Sequence, residues 1–297
     1  MQPKYLVVDG MALLFRHFFA TSFRNQFMYN SKDIPTNGVQ GVVRHIYKLI
    51  SITRPTHVIV AWDVGAHTIR NEWFEGYKKN RELPPEALIP QFDYVKEVLD
   101  ALGMYQVGIE GYEADDVIGT LINHIDNAIV VTGDRDLLQV LKPHDKNEVW
   151  LTKKGFSEYH YYDYDTFVSE YDITPEQFID VKALMGDPGD GYFGVSGIGE
   201  KTALKLIRQY ESLEGIIANL DELTPRMQEK IETEFESLNM SLRLAAIITK
   251  VPIPVHEIIE KSVFKIDIED AQKQLIDHEL TISSRYLNSL DFGGSNG

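Results

Sequence analysis

Four short apolar runs decide most of what this chain can fold into: residues 5–8, 57–62, 105–109 and 128–131. They are too short for buried helices and show no strict apolar–polar alternation, so they read as strands buried on both faces. Between them lie segments with helical spacing: 11–20, 38–50 (Val39, Val42, Val43, Ile46, Leu49, Ile50), 90–102 and the stretch from Glu113. Strands alternating with helices predict an α/β fold, a mostly parallel central sheet flanked by helices. Residues 22–36 read as a loop or short hairpin, 137–141 as a short helix, and 148–152 and 159–162 as edge strands. After about Val149 the character changes. Thr174-Pro175-Glu176-Gln177 is a helix start, with Thr as N-cap, Pro at the first position and Gln three residues after the cap. From there the chain is mostly helical, ending in a Gly/Ser/Asn tail, 293–297, expected to be disordered. Two domains follow: an α/β domain over 1–172 and a helical region over 173–297.

Acids stand where the strands end. Asp9 and Asp63 follow the first two runs, Asp134 lies just past the fourth, and the third leads into Gly111-Tyr112-Glu113-Ala114-Asp115-Asp116. Ala114, Val117, Ile118, Leu121, Ile122 and Ile125 form one apolar helix face, which places Glu113, Asp115 and Asp116 on the other side. A single acid there is ordinary, because helix N-termini favour negative charge. Three within four residues repel one another and call for a positive partner. In open parallel sheets, sites lie beyond the carboxyl ends of the strands, so four segments bring acids to one edge. Asp136, and Asp187 and Asp190 in Met185-Gly186-Asp187-Pro188-Gly189-Asp190, add to them. Oxygen ligands without cysteine or a histidine pair suit a hard cation, Mg²⁺ or Mn²⁺. The acids exceed the needs of one ion. Two ions about 4 Å apart would clamp an in-line phosphoryl displacement, the logic of nucleases and of some phosphatases.

The formal net charge of −16 argues, taken alone, against a nucleic-acid partner. Acids gathered in one site weaken that argument, and basic residues cluster locally. Arg70, Lys78, Lys79 and Arg81 alternate with Trp73, Phe74 and Tyr77, a mix of phosphate-binding cations and stacking aromatics that suits a single strand. The blander alternative is a solvated helix face with its own core aromatics. Gly194-Val195-Ser196-Gly197-Ile198-Gly199-Glu200-Lys201-Thr202-Ala203 enters a helix carrying Lys205 and Arg208. It is neither the dinucleotide fingerprint nor a P-loop. It reads as a sequence-independent grip on a duplex backbone, or simply as a tight helix–helix turn. Cysteine is absent, no apolar run approaches the ~20 residues of a membrane span, and no secretory-type leader opens the chain. A cytoplasmic protein is expected.

These residues resemble the bacterial 5′–3′ exonuclease and flap endonuclease family, which includes the N-terminal domain of DNA polymerase I and free-standing exonucleases. The matching stretches are V-D-G-M-A-L-L-F-R (8–16), W-D (62–63), T-I-R-N-E-W-F-E-G-Y-K-K-N-R (68–81), G-Y-E-A-D-D (111–116), T-G-D-R-D-L-L-Q (132–139) and M-G-D-P-G-D…G-V-S-G-I-G-E-K-T-A (185–203). The resemblance implies a PIN-like nuclease core, a helical arch around 67–95 and a helix–three-turn–helix around 184–210. It implies the free-standing form, acting as a monomer on DNA 5′ ends, nicks and flaps, RNA primer strands included, in replication and repair near the nucleoid. Asp9, Asp63, Glu113, Asp115 and Asp116 would surround a first Mg²⁺, and Asp134, Asp136, Asp187 and, less directly, Asp190 a second. Tyr77, Lys78 and Arg81 match the arch, with Lys78 on the scissile phosphate and Arg81 on developing charge; Arg70 is expected to contact DNA as well. Gly197, Gly199, Lys201, Thr202 and Lys205 would hold the duplex, with K⁺ near the carbonyls of Val195 and Ile198. Two departures stand out: Gly191 where the family usually has Asn, and Ser196 where it has Pro. A phosphatase with D-x-D after its first strand fits poorly, because Gly10 and Met11 follow Asp9. A non-catalytic junction binder is disfavoured by the intact acids, and a ribonuclease of related fold stays open.

Overall fold

The segments between the first five strands are long enough to cross back over a sheet, which parallel pairing requires. The computed structural model describes residues 2–23, 27–153, 155 and 157–292. Its sheet contains β1 (Tyr5–Asp9), β2 (His57–Ala61), β3 (Tyr105–Val107), β4 (Ala128–Thr132), β5 (Glu148–Thr152) and β6 (Tyr159–Tyr162). The order is β3-β2-β1-β4-β5-β6, and only β6 runs antiparallel to its neighbour. β5 pairs on both sides, so of the two strands expected at an edge only β6 lies there.

Every residue of β1, β2 and β4 is buried. Alternate residues serve opposite cores because side chains alternate across a strand. Leu6, Val8, Val58, Val60, Ile129 and Val131 join α1 (Gly10–Thr21), α2 (Asn37–Thr53) and, past the short α3 (Ile69–Trp73), α4 (Ile89–Ala101). Tyr5, Val7, Ile59, Ala61, Ala128 and Val130 join the opposite core with α5 (Ala114–Ile122). The helical second half extends that core: α6 (Tyr164–Tyr171), α7 (Phe178–Met185), α8 (Glu200–Tyr210), α9 (Leu213–Ala218), α10 (Pro225–Thr233) and α11 (Phe235–Ala245). After α12 (Val255–Lys261), α13 (Ile268–Asp277) and α14 (Thr281–Leu287) return to the first face, burying Ala271, Leu275 and Leu287 beside α2 and α4.

Several local expectations shift. α5 stops at Ile122, short of Ile125, and the short helix after β4 is a 3-10 turn, Arg135–Val140. Thr174 and Gln177 exchange the expected capping bonds (2.7 and 3.3 Å), yet 175–177 form a turn and α7 starts at Phe178. Within 67–95, where the helical arch is expected, α3 is one turn and a half, successive turns follow through Asn80, and helix resumes at Ile89. The tail 293–297 lies outside the described residues.

Candidate active site

The strand order reverses around β1, and a cavity of about 620 Å³ opens beyond the carboxyl ends of the central strands. Asp9 ends β1 and caps α1: one oxygen accepts the Ala12 N–H (2.9 Å), the other the Thr132 hydroxyl (2.8 Å). The turn from strand to helix is tight because residue 10 is glycine; a Cβ there would sit 2.7 Å from the Trp62 ring. The Thr132 oxygen also accepts the Asp134 N–H (3.0 Å), and Asp134 accepts the Asp136 N–H (2.8 Å). Asp63 accepts the Ala114 N–H (2.8 Å), so the loop after β2 is tied to the start of α5. Asp9, Asp63, Glu113, Asp115, Asp134 and Asp136 all line the cavity. The sheet thus brings six of the nine expected metal-ligating acids together.

Their charge is poorly compensated. Burial, reinforced by Asp63 and Asp134, pushes Asp9 up to about 7. Asp136 is also raised to about 7, by burial and then by Asp134. Asp115 is raised well above the carboxylate range by burial and by Asp134, Asp9 and Asp63. One oxygen of Asp136 is buried and accepts no backbone N–H. Lys182 Nζ stands 2.8 Å from it, but without hydrogen-bond geometry.

Basic side chains reach into this acidic pocket. Lys78 meets Glu113 at 2.7 Å, and Arg81 meets Asp190 at 2.5 Å. Lys78 has a left-handed backbone (φ 55°), held by its N–H donating to the Asp190 carbonyl at 2.7 Å. Lys182, which the sequence reading overlooked, is buried between Asp136 (2.8 Å) and Asp187 (2.9 Å). Its signal was a single base on an otherwise apolar face of α7, just ahead of the Asp187 loop. Arg135 and Glu200 also line the cavity and were not singled out. Asp187 and Asp190 stand behind these bases and do not line the cavity. Asp187 holds Lys182 and accepts the Gly189 N–H (2.9 Å).

Asp116 and Arg70 are placed differently from expectation. Asp116 is fully buried and takes Arg70 in a bidentate pair (2.6 and 2.8 Å), as well as the N–H groups of Glu113 (3.1 Å) and Ile248 (2.8 Å). Its oxygens are saturated and turned from the cavity, so it is not placed as a metal ligand. The reason is that the segment 246–251 covers the side of α5 that helical periodicity assigns to solvent. Arg70 is 3% exposed and cannot reach DNA. Tyr77 is buried too, its hydroxyl donating to Glu113 (3.1 Å), and it forms a small core with Trp73, Phe74, Tyr192 and Leu244. The structure thus packs these aromatics together, Tyr77 buried and Trp73 and Phe74 partly so.

Gly197, Gly199, Lys201 and Lys205 are exposed at the turn and first turns of α8, with Thr202 half-buried. Val195 and Ile198 are buried, and the Val195 carbonyl accepts the Ile198 N–H (3.0 Å). Glu234 holds Ser196 through its N–H and hydroxyl, both at 2.6 Å. Gly191 has φ 80°, and a Cβ there would lie 2.6 Å from the Gly76 carbonyl. The glycine permits the close approach of the 74–81 and 187–191 segments.

Among the described residues no three acid or histidine side chains form a ready-made cage for an ion. The donor chemistry nonetheless fits hard cations: oxygen-only ligands, raised carboxyls and a buried Asp136 oxygen met only by the Lys182 ammonium.

Comparison with known proteins decides the family. The model described as 5′-3′ exonuclease, N-terminal resolvase-like domain, matches residues 4–172, and 5′-3′ exonuclease, C-terminal SAM fold, matches 173–274. The chain belongs to the 5′-3′ exonuclease family. It is 46% identical to the 5′-3′ exonuclease of Bacillus subtilis over 97% of both chains. It is 38% identical to DNA polymerase I of the same organism over 86% of this chain, spanning 29% of that protein. Among solved structures, T5 5′-exonuclease with bound zinc is 25% identical, with a TM-score of 0.66, covering 94% of this chain and 99% of that one. The catalytic core of Rad2, solved with a DNA substrate, shares the fold at 18% identity and a TM-score of 0.57, covering 98% of this chain and 92% of that one. Family membership and sheet order agree on the fold, and in that fold these acids stand at the strand ends around one cavity.

Proposed function

We propose that this chain is a divalent-metal-dependent, structure-selective 5′ nuclease. It hydrolyses phosphodiester bonds at DNA 5′ ends, nicks and flaps, in primer removal and repair. The observation that carries this reading is the convergence of six carboxylates from four strand-end loops on one under-compensated cavity. Asp9, Asp63, Glu113 and Asp115 would hold one ion, and Asp134 and Asp136 a second, with Asp187 and Asp190 acting from behind. Without a preformed cage, ions there would keep part of their water shell, as Mg²⁺ commonly does and Mn²⁺ can. Bound ions would supply an activated water and neutralise charge on the phosphate. Lys78 and Arg81 now sit on Glu113 and Asp190. A substrate phosphate would compete for both bases, Lys78 contacting the scissile group and Arg81 stabilising charge as it develops. Lys182 holds Asp136 and Asp187 in place until an ion takes over that charge. The turn at Gly197 and Gly199, with Lys201, Thr202 and Lys205, would grip the duplex backbone without reading bases. K⁺ at the carbonyls of Val195 and Ile198 would firm that turn. The protein would act as a monomer, in the cytoplasm and on the nucleoid.

The test is a labelled 5′-flap duplex, with DNA or RNA as the 5′ strand, incubated with Mg²⁺, with Mn²⁺ and with EDTA. Metal-dependent 5′ products are expected. Asp134→Asn is expected to abolish them while the flap still binds. Cleavage that survives EDTA, or no cleavage with either ion, would overturn the reading.

A further inference from the structure

Arg135 lies between Asp134 and Asp136, yet its side chain belongs to the helical half. Its guanidinium is 2.5 Å from the Glu200 carboxylate and 3.0 Å from the Tyr171 hydroxyl, and lies 5.7 Å from the ring centroids of both Tyr171 and Phe178. Glu200 is the first residue of α8 and directly follows the glycine turn. An acid at a helix start is favoured by the dipole, and a half-exposed ion pair adds little stability. Neither point explains a carboxylate beside a turn suited to phosphate, which it would repel if unpaired. Nor do they explain why its partner is the residue flanked by two cavity acids. The Asp134 carboxylate accepts the Asp136 N–H (2.8 Å) across Arg135, which ties the three residues into one short loop. Thr132 ties this loop to Asp9 on the sheet side. On the helical side, Arg135 ties it to α8.

We propose that Arg135 and Glu200 are positioning residues that couple duplex grip to the metal-binding loop. A backbone phosphate drawn to residues 197–202 seats the start of α8. The Glu200 carboxylate then fixes Arg135, and Arg135 sets Asp134 and Asp136 for ion binding. By linkage, duplex tightens metal binding and metal tightens duplex binding by the same factor. The inference rests on the nuclease reading and adds the route by which its two halves communicate.

The test is Mn²⁺ binding measured by calorimetry with and without a closed dumbbell duplex, which offers no 5′ end to cut. In the unaltered protein the dumbbell is expected to tighten Mn²⁺ binding about fivefold or more. In Arg135→Gln and in Glu200→Gln that factor should fall to about one, with melting temperature kept. The double variant should be no worse than either single variant, as for residues acting through one contact. On the flap substrate with saturating Mn²⁺, each variant should raise KM by about the lost coupling factor, because metal no longer tightens duplex binding, and lower kcat about tenfold. Retention of the coupling factor in both variants, or additive losses in the double variant, would overturn the link while leaving the nuclease reading intact. No Mn²⁺ binding and no flap cleavage by the unaltered protein would overturn the nuclease reading, and the link with it.

Discussion

At the scale of single residues, burial separates the acids that face the cavity from the one that does not. Glu113, Asp115 and Asp116 are nearly adjacent, but Asp116 spends both oxygens on Arg70 and on backbone N–H groups. Removing one partner of a buried pair leaves an uncompensated charge. Arg70→Ala is therefore expected to destabilise the fold by about 3–5 kcal/mol, read as a lowered midpoint in urea. A residue that only contacted DNA would leave the midpoint unchanged and weaken binding instead. The chain's motif placed Asp116 at the site because three clustered acids look alike in sequence. Which of them meets solvent depends on the 246–251 segment, more than 130 residues away in the chain.

At the scale of elements, the strands and the helix starts do the positioning. Asp9, Glu113 and Asp134 are each the cap residue of the helix or 3-10 turn that follows, so the residues that start these elements also line the cavity. This much was legible from short apolar runs ending in acids. The segment 73–81 was less legible. Its mixture of bases and aromatics is compatible with a strand-binding surface or a small core, and the structure divides it, with Lys78 and Arg81 toward the acids and Trp73, Phe74 and Tyr77 inward. The exposed lysines of α8 carry a separate prediction. Lys201→Ala should weaken duplex binding alike for all sequences and reduce the slope of log K against log salt by about 1, measured by fluorescence anisotropy at several salt concentrations. An unchanged slope would remove Lys201 from the phosphate contacts.

At the scale of the whole molecule, folding gathers carboxylates at a cost that bound cations would relieve. Asp136 illustrates the sign. Its folded pKa, about 7, lies above the ordinary 3.8, so the folded state holds this proton more tightly than the unfolded chain. The contribution is fully present below about pH 4 and is lost as pH rises through about 7. Metal-free protein should therefore lose stability over that window relative to Asp136→Asn, whose midpoint lacks this component. Asp134, Lys182 and Asp187 surround the group, and saturating Mn²⁺ should flatten the difference. Parallel pH dependence of the two metal-free proteins would sink the argument. Taken alone, the sequence determined the α/β class, the positions of the strands and the fact that acids meet at one sheet edge. Those depend on periodicity and chain order, which are local and additive. Only the tertiary structure decided that Asp116 and Arg70 are buried together, that Lys182 lies among the acids, and that Arg135 reaches Glu200. Each of these depends on which distant segment covers a given side chain, and no local pattern encodes that.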